Sequence, residues 1–460
     1  MIRRIGAWVL TCAVASPPGA SAQSVDAFIH GVPTGQVSQD PLALSLRDAV
    51  QRGLERNLAV ILEQQRLRGT DGARLAALSA LLPHVSASVR QSSQVLSTAA
   101  FGFTLPDVPT VIGPFGLFDA RLLVSTPLFD ARALGGLQSG RAEVRAGEAS
   151  IDDVREAVVL AVGTLYLQVE AEAARVESAK AQVATAEALV ALADDQRTAG
   201  VVAGIDVIRQ QVQLQSARAR LITAENAFDK RKLSLARAIG LPAGQAYTLA
   251  DTTEFSPAPA ITIEAAVLEA ELHRHDLRAA KARVDAARAA LQAESAGALP
   301  TLHLDADIGV LGPRASDVDR THSVAAVVRV PIFEGGNTRA RVQRSDADLR
   351  EREAELADLW AGLRYEVEGA LLDIKAADAG VDVANRARDL SRQELEQAQD
   401  RFRAGASSTL ELVQAQEAVT TATEQYIASV YSHAMAKALF VRATGQVQQQ
   451  FVALVGGHQP

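Results

Sequence analysis

Two histidines in the stretch ELHRHDLR have the residue type and spacing that most suggest chemistry. His273 and His275 lie two positions apart, and imidazole nitrogens are common ligands of transition metals. On a helix, side chains two positions apart point to different faces, so this pair does not converge on one ion. We expect both side chains to be solvated and to bind no metal.

Carboxylates are abundant, but their pattern does not indicate catalysis. The chain has 54 Asp and Glu residues against 46 Lys and Arg. The two signs alternate in helical runs such as RSDADLREREAELADL (344–359), which is typical of a solvated helix face. The sequence has no HExxH, GxSxG, GxxxxGK[ST] or GxGxxG motif. It therefore predicts no enzyme activity and no cofactor.

The composition favours long helices. Only 4% of the 460 residues are aromatic and 16 are proline, whereas alanine is very frequent. The net charge is −8, and basic clusters with interleaved aromatic residues, which nucleic acid would require, are missing from the sequence. These features argue against a nucleic-acid partner.

The first 22 residues have the order of a secretory signal peptide. A basic start is followed by an apolar run and by the small residues Ala20, Ser21 and Ala22. The alternative, lipid attachment at Cys12, would leave a short signal and has Thr11 where Gly or Ala is expected. Beyond this segment we find no run of about 18 apolar residues, so a membrane span would have to consist of strands in a closed barrel.

A turn motif occurs twice. AGVVAGIDVIRQQ (199–211) returns after about 205 residues as AGASSTLELVQAQ (404–416), which indicates two copies of one structural unit. Residues that repeat every seven positions precede each turn, as in a coiled-coil seam. The two series are Val162, Val169, Val176, Val183, Val190 and Val367, Ile374, Val381, Arg388, Leu395.

These patterns predict a division of the chain and its helices. The segments are a signal peptide (1–22), a first repeat (23–250), a second repeat (251–445) and a C-terminal tail (446–460). Each repeat contains one helix about 100 Å long and two shorter helices that, end to end, match its length. The long helices are predicted at 133–197 and 337–402, and the shorter ones at 42–80, 205–239, 262–297 and 410–444.

Two β-hairpins with strands of about ten residues are predicted, at about 84–127 and 301–331, and the loop of the second at 311–322. Residues 302–310, LHLDADIGV, alternate between apolar and polar side chains, as in a strand with one apolar face. Four strands are too few to close a membrane barrel, so several chains would pool them around an aqueous lumen. The polar side chains that would face this lumen are His303, Asp305, Asp307 and Arg329. The alternative is a hairpin that caps a soluble helical bundle.

Paired motifs give the chain a resemblance to the TolC family of outer-membrane exit ducts. The strand-to-helix junctions TPLFDAR (126–132) and VPIFEGGNTRA (330–340) correspond to each other, as do the two turns. Further matches are the helix-to-strand passage at 275–304 and the repeat endings AIGLP (238–242) and ATG (443–445). The resemblance covers residues 41–445.

The resemblance implies a mainly α-helical homotrimer in the outer membrane. Its twelve-stranded barrel would continue into a coiled-coil tunnel of long antiparallel helices across the periplasm, and the turns would form the tunnel tip. The resemblance also places Gly200 and Gly405 in turns that dock a periplasmic adaptor. The residues implied at the tip constriction are Glu411, Gln414, Phe402, Arg401, Asp206 and Arg197.

Two functions remain open from the sequence. The first is a passive exit duct for an inner-membrane pump, in efflux or in type I secretion. The second is a periplasmic adaptor, a coiled-coil binding module without a pore. Two in-register repeats and four membrane-type strands favour the duct.

Overall fold

The computed structural model describes residues 28–102, 110–251, 255–257, 261–404 and 406–455. The predicted signal peptide with Cys12, and Gly405, lie outside the described residues. The helices are α1 (Leu46–Arg56), α2 (Leu58–Ser79), α3 (Ala131–Thr198), α4 (Gly204–Ala238), α5 (Ile263–His273), α6 (His275–Ala296), α7 (Asn337–Arg403), α8 (Thr409–Ala443) and α9 (Val447–Val455). The strands are β1 (Leu42–Leu44), β2 (His84–Ser97), β3 (Val111–Phe129), β4 (Tyr247–Leu249), β5 (Thr301–Arg314) and β6 (Asp317–Arg329).

The two long helices and the helices that follow the turns are confirmed to within two residues. The first long helix, α3, begins where the Asp130 side chain accepts a hydrogen bond from the Ala133 amide at 2.9 Å. The second, α7, begins after Gly336, whose φ of 86° favours glycine. Each long helix packs against its follower, so α3–α4 forms a first helical hairpin and α7–α8 a second.

The helices predicted at 42–80 and 262–297 are wrong as single helices. A strand, β1, occupies the start of the first segment, and both segments break, at Asn57 and at Arg274. Both break residues have extended ψ values, 135° and 118°. The buried Asn57 side chain accepts from the Ala59 amide and donates to the Phe28 carbonyl. Contacts from distant segments stabilise this break, and local periodicity does not register them.

The predicted end-to-end stacking of the short helices is confirmed. The C-terminal end of α4 meets the break between α1 and α2, where Asn57 donates to the Ala238 carbonyl at 3.4 Å. At the end of α8, a β-carbon on Gly445 would lie 2.7 Å from the Arg274 nitrogen. Both α2 and α4 therefore lie along α3.

The predicted seam is buried. Six of its ten residues are buried, and the four that lie nearest the turns are half-buried. The buried residues are Val162, Val169, Val176, Val367, Ile374 and Val381; the half-buried ones are Val183, Val190, Arg388 and Leu395. Small neighbours such as Ala186 and Ala398 are also buried, which lets the helices approach closely.

One stretch of α3 has the length and mean hydropathy, 1.4, of a membrane-spanning helix. Just over half of it, 56%, is buried inside the protein. Val158, Val162 and Tyr166 belong to the main core there, and the Tyr166 hydroxyl donates to the Leu44 carbonyl at 3.1 Å. We assign this stretch to the helical core.

The segment predicted as a C-terminal tail contains the helix α9. Its Phe451 is fully buried and lies against Gly163 of α3, where a side chain would overlap the ring. The tail is therefore part of the core. Nine residues are too few for periodicity to separate a short helix from a tail.

The four long strands form one antiparallel sheet in the order β2-β3-β5-β6. They have 13 to 19 residues, more than the predicted ten or so. The loop predicted at 311–322 is mostly strand, because β5 and β6 pair up to Arg314 and Asp317. Polar residues hid the alternation in that segment.

Candidate functional site

The two helical hairpins end in turns of closely similar geometry. After α3, Gly200 adopts a φ of 74°, and the Val201 amide donates to the Gln196 carbonyl at 2.8 Å. After α7, the Ala406 amide donates to the Arg401 carbonyl, also at 2.8 Å. These bonds satisfy carbonyls at the helix ends. Gly405, predicted as the second docking glycine, lies outside the described residues.

A buried apolar group holds the two turns together. This tip cluster consists of Leu189, Ala398, Phe402, Leu412 and Ala415. The Phe402 side chain is only 2% exposed, and its carbonyl accepts a hydrogen bond from the Gln196 side chain at 3.0 Å. Because Gln196 belongs to the first hairpin, both packing and a buried hydrogen bond join the hairpins here. Phe402 thus lies inside the chain, and its predicted place at a constriction stays a prediction.

The predicted charged residues of the tip form local ion pairs. Arg401 Nε lies 3.5 Å from Glu411 Oε1, and the Ser407 hydroxyl donates to Glu411 at 2.8 Å. Arg197 pairs with Asp194 and Asp206 with Arg209, each within its own helix. Gln414 is exposed. The structure brings Arg401 and Glu411 together, whereas Arg197 and Asp206 join other partners.

Further ties between the hairpins were missed by sequence analysis. Glu417 of α8 accepts two hydrogen bonds from Arg220 of α4, at 3.1 and 3.2 Å, and one from Gln213 at 2.5 Å. The hydrogen bond from Arg220 lowers the pKa of Glu417. Arg175 of α3 lies 3.3 Å from Glu424 of α8. Almost 200 residues separate Arg220 from Glu417, and no local pattern marks such a pair.

A partly buried charge network joins α3 to the C-terminal end of α8 and the start of α6. Arg442 of α8 donates to Asp153 at 2.6 Å and to Glu156 at 2.8 Å, both on α3. His275 Nε2 lies 3.6 Å from the second oxygen of Glu156. His275 is therefore part of this network, and the expectation that it is solvated is wrong. Burial lowers the pKa of His275, and it raises the pKa of Glu156, which is 1% exposed, to about 7.

We expect the destabilising contribution of the buried Glu156 to shrink as the pH falls from 8 to 6.5, in the difference between wild type and Glu156→Gln. Glu156 has its pKa raised to about 7 when folded, against about 4.3 unfolded, so the folded state binds more protons in this window. The free energy of unfolding should rise by about 1 kcal/mol from this source. Thermal unfolding followed by circular dichroism measures the change. Burial lowers the pKa of folded His275 below its unfolded value of about 6.5. This histidine therefore lowers the stability of the fold as the pH falls through that value.

Glu156→Gln should flatten this pH profile and raise stability at pH 8. The exposed Glu177→Gln is the matched control on the same helix and should leave the profile unchanged. An equal slope in wild type and Glu156→Gln would assign the titration to another group.

The predicted lumen residues share one face of the sheet. His303, Asp305 and Asp307 alternate along β5, and Arg329 lies opposite Thr301 on the same face. Asp305 accepts from the Ser125 hydroxyl at 2.6 Å, and Asp307 accepts from Arg121 at 3.1 Å. The other face exposes large apolar side chains, among them Val85, Val89, Ile308, Val324 and Val328. One sheet thus has a hydrogen-bonded polar face and an exposed apolar face.

Among the described residues, no group of three or more His, Cys, Asp or Glu side chains is arranged to hold a metal ion. The charged side chains described above instead form ion pairs and hydrogen bonds that join helices to helices and strands to strands.

Comparisons with known proteins agree with this arrangement. The family model described as "Outer membrane efflux protein" matches residues 49–241 and 266–446. The pyoverdine export outer membrane protein OpmQ of Pseudomonas aeruginosa is 26% identical over 395 residues, which cover 83% of this chain and 81% of OpmQ. Protein CyaE of Bordetella pertussis is 25% identical over 435 residues, 90% of this chain and 86% of CyaE.

Solved structures share the fold at low sequence identity. The CmeC outer membrane channel of Campylobacter jejuni superposes with a TM-score of 0.77 at 16% identity, covering 94% of this chain and 93% of CmeC. The outer membrane protein VceC of Vibrio cholerae gives 0.76 at 17% identity, covering 87% and 96%. The family predicted from the paired junctions and turns is confirmed. The chain belongs to the outer membrane efflux protein family, and it is an outer-membrane protein whose helices extend into the periplasm.

Proposed function

We propose that this protein is the homotrimeric exit duct of a tripartite system, in which a periplasmic adaptor connects it to an inner-membrane pump. Three chains would complete a twelve-stranded barrel in the outer membrane and a helical tunnel across the periplasm. The observation that carries the proposal is the two-faced sheet joined directly to two long helical hairpins. Lipid would cover the apolar face, and a water-filled lumen would adjoin the polar one.

The sheet of one chain is incomplete, which supports pooling of strands. Its outer strands, β2 and β6, each have a partner on one side only, and such edges pair readily with further strands. Large apolar side chains continue beyond the strand ends. Ile332 and Phe333, 95% and 89% exposed, follow β6, and the exposed Leu128 and Phe129 end β3. Exposed apolar side chains at this position, where the strands pass into the helices, would lie at the periplasmic boundary of the membrane.

Stripes of exposed apolar side chains on α4 and α7 support the trimer. Ile205, Ile208 and Val212 of α4 are spaced by three and four residues, which places them on one helix face. Leu372, Val383 and Leu390 are similarly exposed on α7. In a closed ring, α4 of one protomer would pack against α7 of the next. Water would leave both stripes on association.

Two matching halves support docking of an adaptor at the tip. Helices α1 and α5 each have 11 residues, α2 and α6 each 22, and α4 and α8 each 35. We interpret the halves as two structural repeats, so a trimer would present six similar turns, including Gly200. Six turns would suit a six-fold arrangement of adaptor hairpins.

Opening would separate the second hairpin from the first. The contacts to be broken are the tip cluster, the Gln196–Phe402 hydrogen bond and the Arg220–Glu417 pair. The fully buried Gln210 of α4 has no hydrogen-bond partner for either side-chain amide atom in the described part of the chain, and separation would let water reach it. The energy for transport would come from the pump. Relatives named for pyoverdine export and for alkaline protease secretion make small molecules and proteins both candidate cargo.

Membrane fractionation followed by native mass determination of the detergent-extracted protein tests the proposal. We expect recovery from the outer membrane at the mass of three chains, with ion conductance after reconstitution into planar bilayers. Recovery as a soluble periplasmic or inner-membrane species would contradict the duct and favour the adaptor.

We expect Glu411→Ala to lower the cation preference of the reconstituted pore. The Glu411 carboxylate is partly exposed beside the second turn, and in a trimer three such groups would form a ring of negative charge. Reversal potentials in a salt gradient measure the preference. Gln414→Ala, one turn further along α8, is the neutral control. An unchanged cation preference would mean that Glu411 does not line the constriction.

A further inference from the structure

A cavity between the two helical hairpins has the size of a small-molecule site. This inter-hairpin cavity has a volume of about 460 Å³ and is lined by residues of α3, α4, α7 and α8. Ligand sites typically measure roughly 300–1,000 Å³. Small and apolar side chains form much of its wall: Ala174, Ala181, Ala217, Leu395, Val419 and Ile427.

The charged groups around the cavity are mainly cationic. Arg220, Arg388 and Arg392 line it, against one carboxylate, that of Glu177. Lys180 pairs with Glu177 at 2.9 Å, and Glu417 neutralises Arg220.

The remaining two arginines lie one helical turn apart on α7. The Arg388 guanidinium stacks 3.9 Å above the Tyr426 ring and donates to Asn385 at 2.6 Å. It also lies 3.3 Å from the exposed Asp389. No carboxylate is paired with Arg392 in the part of the chain that the structure describes. The exposed Arg392 therefore provides positive charge on the cavity wall without a carboxylate partner among the described residues, whereas Arg388 shares its charge with Asp389.

A buried polar group of the cavity lacks a partner. Gln416 of α8 lines the cavity and is 9% exposed, and its Oε1 atom has no hydrogen-bond partner within the described residues. Buried polar groups are normally paired, and an unpaired one indicates a missing water or ligand. Because the free atom is an acceptor, it would contact an anionic ligand only through a bridging water, which donates to both.

We propose that the inter-hairpin cavity binds a small amphipathic anion, such as a medium-chain carboxylate. The anionic group would contact Arg388 and Arg392, and the chain would lie along the alanine-rich wall of α3. Since the ligand would touch both hairpins, it would stabilise the arrangement in which they lie together. The site lies within one chain and does not depend on the trimer.

Protection of a single engineered cysteine tests the site. The only natural cysteine, Cys12, belongs to the predicted signal peptide, so Thr423→Cys would place one thiol on the cavity wall. The protein is reconstituted in lipid nanodiscs, and its labelling by a maleimide is timed with decanoate, decyltrimethylammonium or decanol. We expect decanoate to slow labelling by about tenfold at nine-tenths occupancy, and the cationic and neutral probes to have little effect.

Two further variants make the outcome decisive. Arg388→Gln with Arg392→Gln should abolish the protection by decanoate, while Ala379→Cys, exposed elsewhere on α7, should label at the same rate with every probe. Equal protection by all three probes would overturn anion recognition. Absence of protection by decanoate would overturn the site itself. Neither result bears on the duct, which fractionation and native mass test separately.

Discussion

Phe402→Ala is expected to open the tip and raise the conductance of the reconstituted pore. The Phe402 ring is buried between Leu189 and Leu412 in the tip cluster, and removal of a buried phenylalanine ring costs about 3–5 kcal/mol. Because these contacts join the two hairpins, the substitution destabilises the closed arrangement of the tip relative to the open one. A shift of about 3 kcal/mol changes the ratio of closed to open tips by roughly a hundredfold. Single-channel recording in planar bilayers measures the change.

Variants around Phe402 separate opening from general damage. Phe402→Leu keeps most of the volume and should have a much smaller effect. Leu412→Ala removes a fully buried member of the same cluster and should also raise conductance. Its neighbour Leu410, 60% exposed, provides the matched control, Leu410→Ala. If Phe402→Ala conducts like wild type, the tip cluster does not hold the pore closed.

The double variant Ile208→Asp, Val212→Asp is expected to abolish the trimer. Both side chains are exposed in one chain and lie on the stripe of α4 proposed to pack against the next protomer. Carboxylates buried there without partners would each cost several kcal/mol. Native mass of the extracted protein should change from three chains to one.

Contacts within one chain should survive this double variant, because neither side chain belongs to its core. Circular dichroism should therefore retain the helical content. Gln211→Asp, at an exposed polar position of the same helix, is the control and should remain trimeric. A trimer that persists in the double variant would place the protomer interface elsewhere.

Periodic features were predictable because their information is local. The seam around Val162 and Val367 follows from a spacing of 3.5 residues, and the alternation of β5 follows from a spacing of two. The turn at Gly200 follows from its glycine and from the repetition of the motif. The family was recognisable because the junctions and turns occur in pairs. These features sufficed for the long helices and for the four long strands.

Contacts between distant segments decided the rest. The breaks at Asn57 and Arg274 interrupt stretches that look continuously helical, and each is stabilised by residues far away in the chain. Phe402 lies in the tip cluster through its contacts with the first hairpin, and its place at a constriction stays a prediction. His275, expected in solvent, lies beside Glu156 because α6 packs against α3.

The sequence by itself determined the long helices, the seam, the strands and the family of this protein. These depend on hydrophobic periodicity and turn chemistry, which act over a few residues. Only the tertiary structure decided which polar groups meet: Arg220 with Glu417, Arg442 with Glu156 and Gln196 with Phe402. A hydrogen bond depends on separations of about 3 Å between segments about 200 residues or more apart, and no local spacing encodes such a distance.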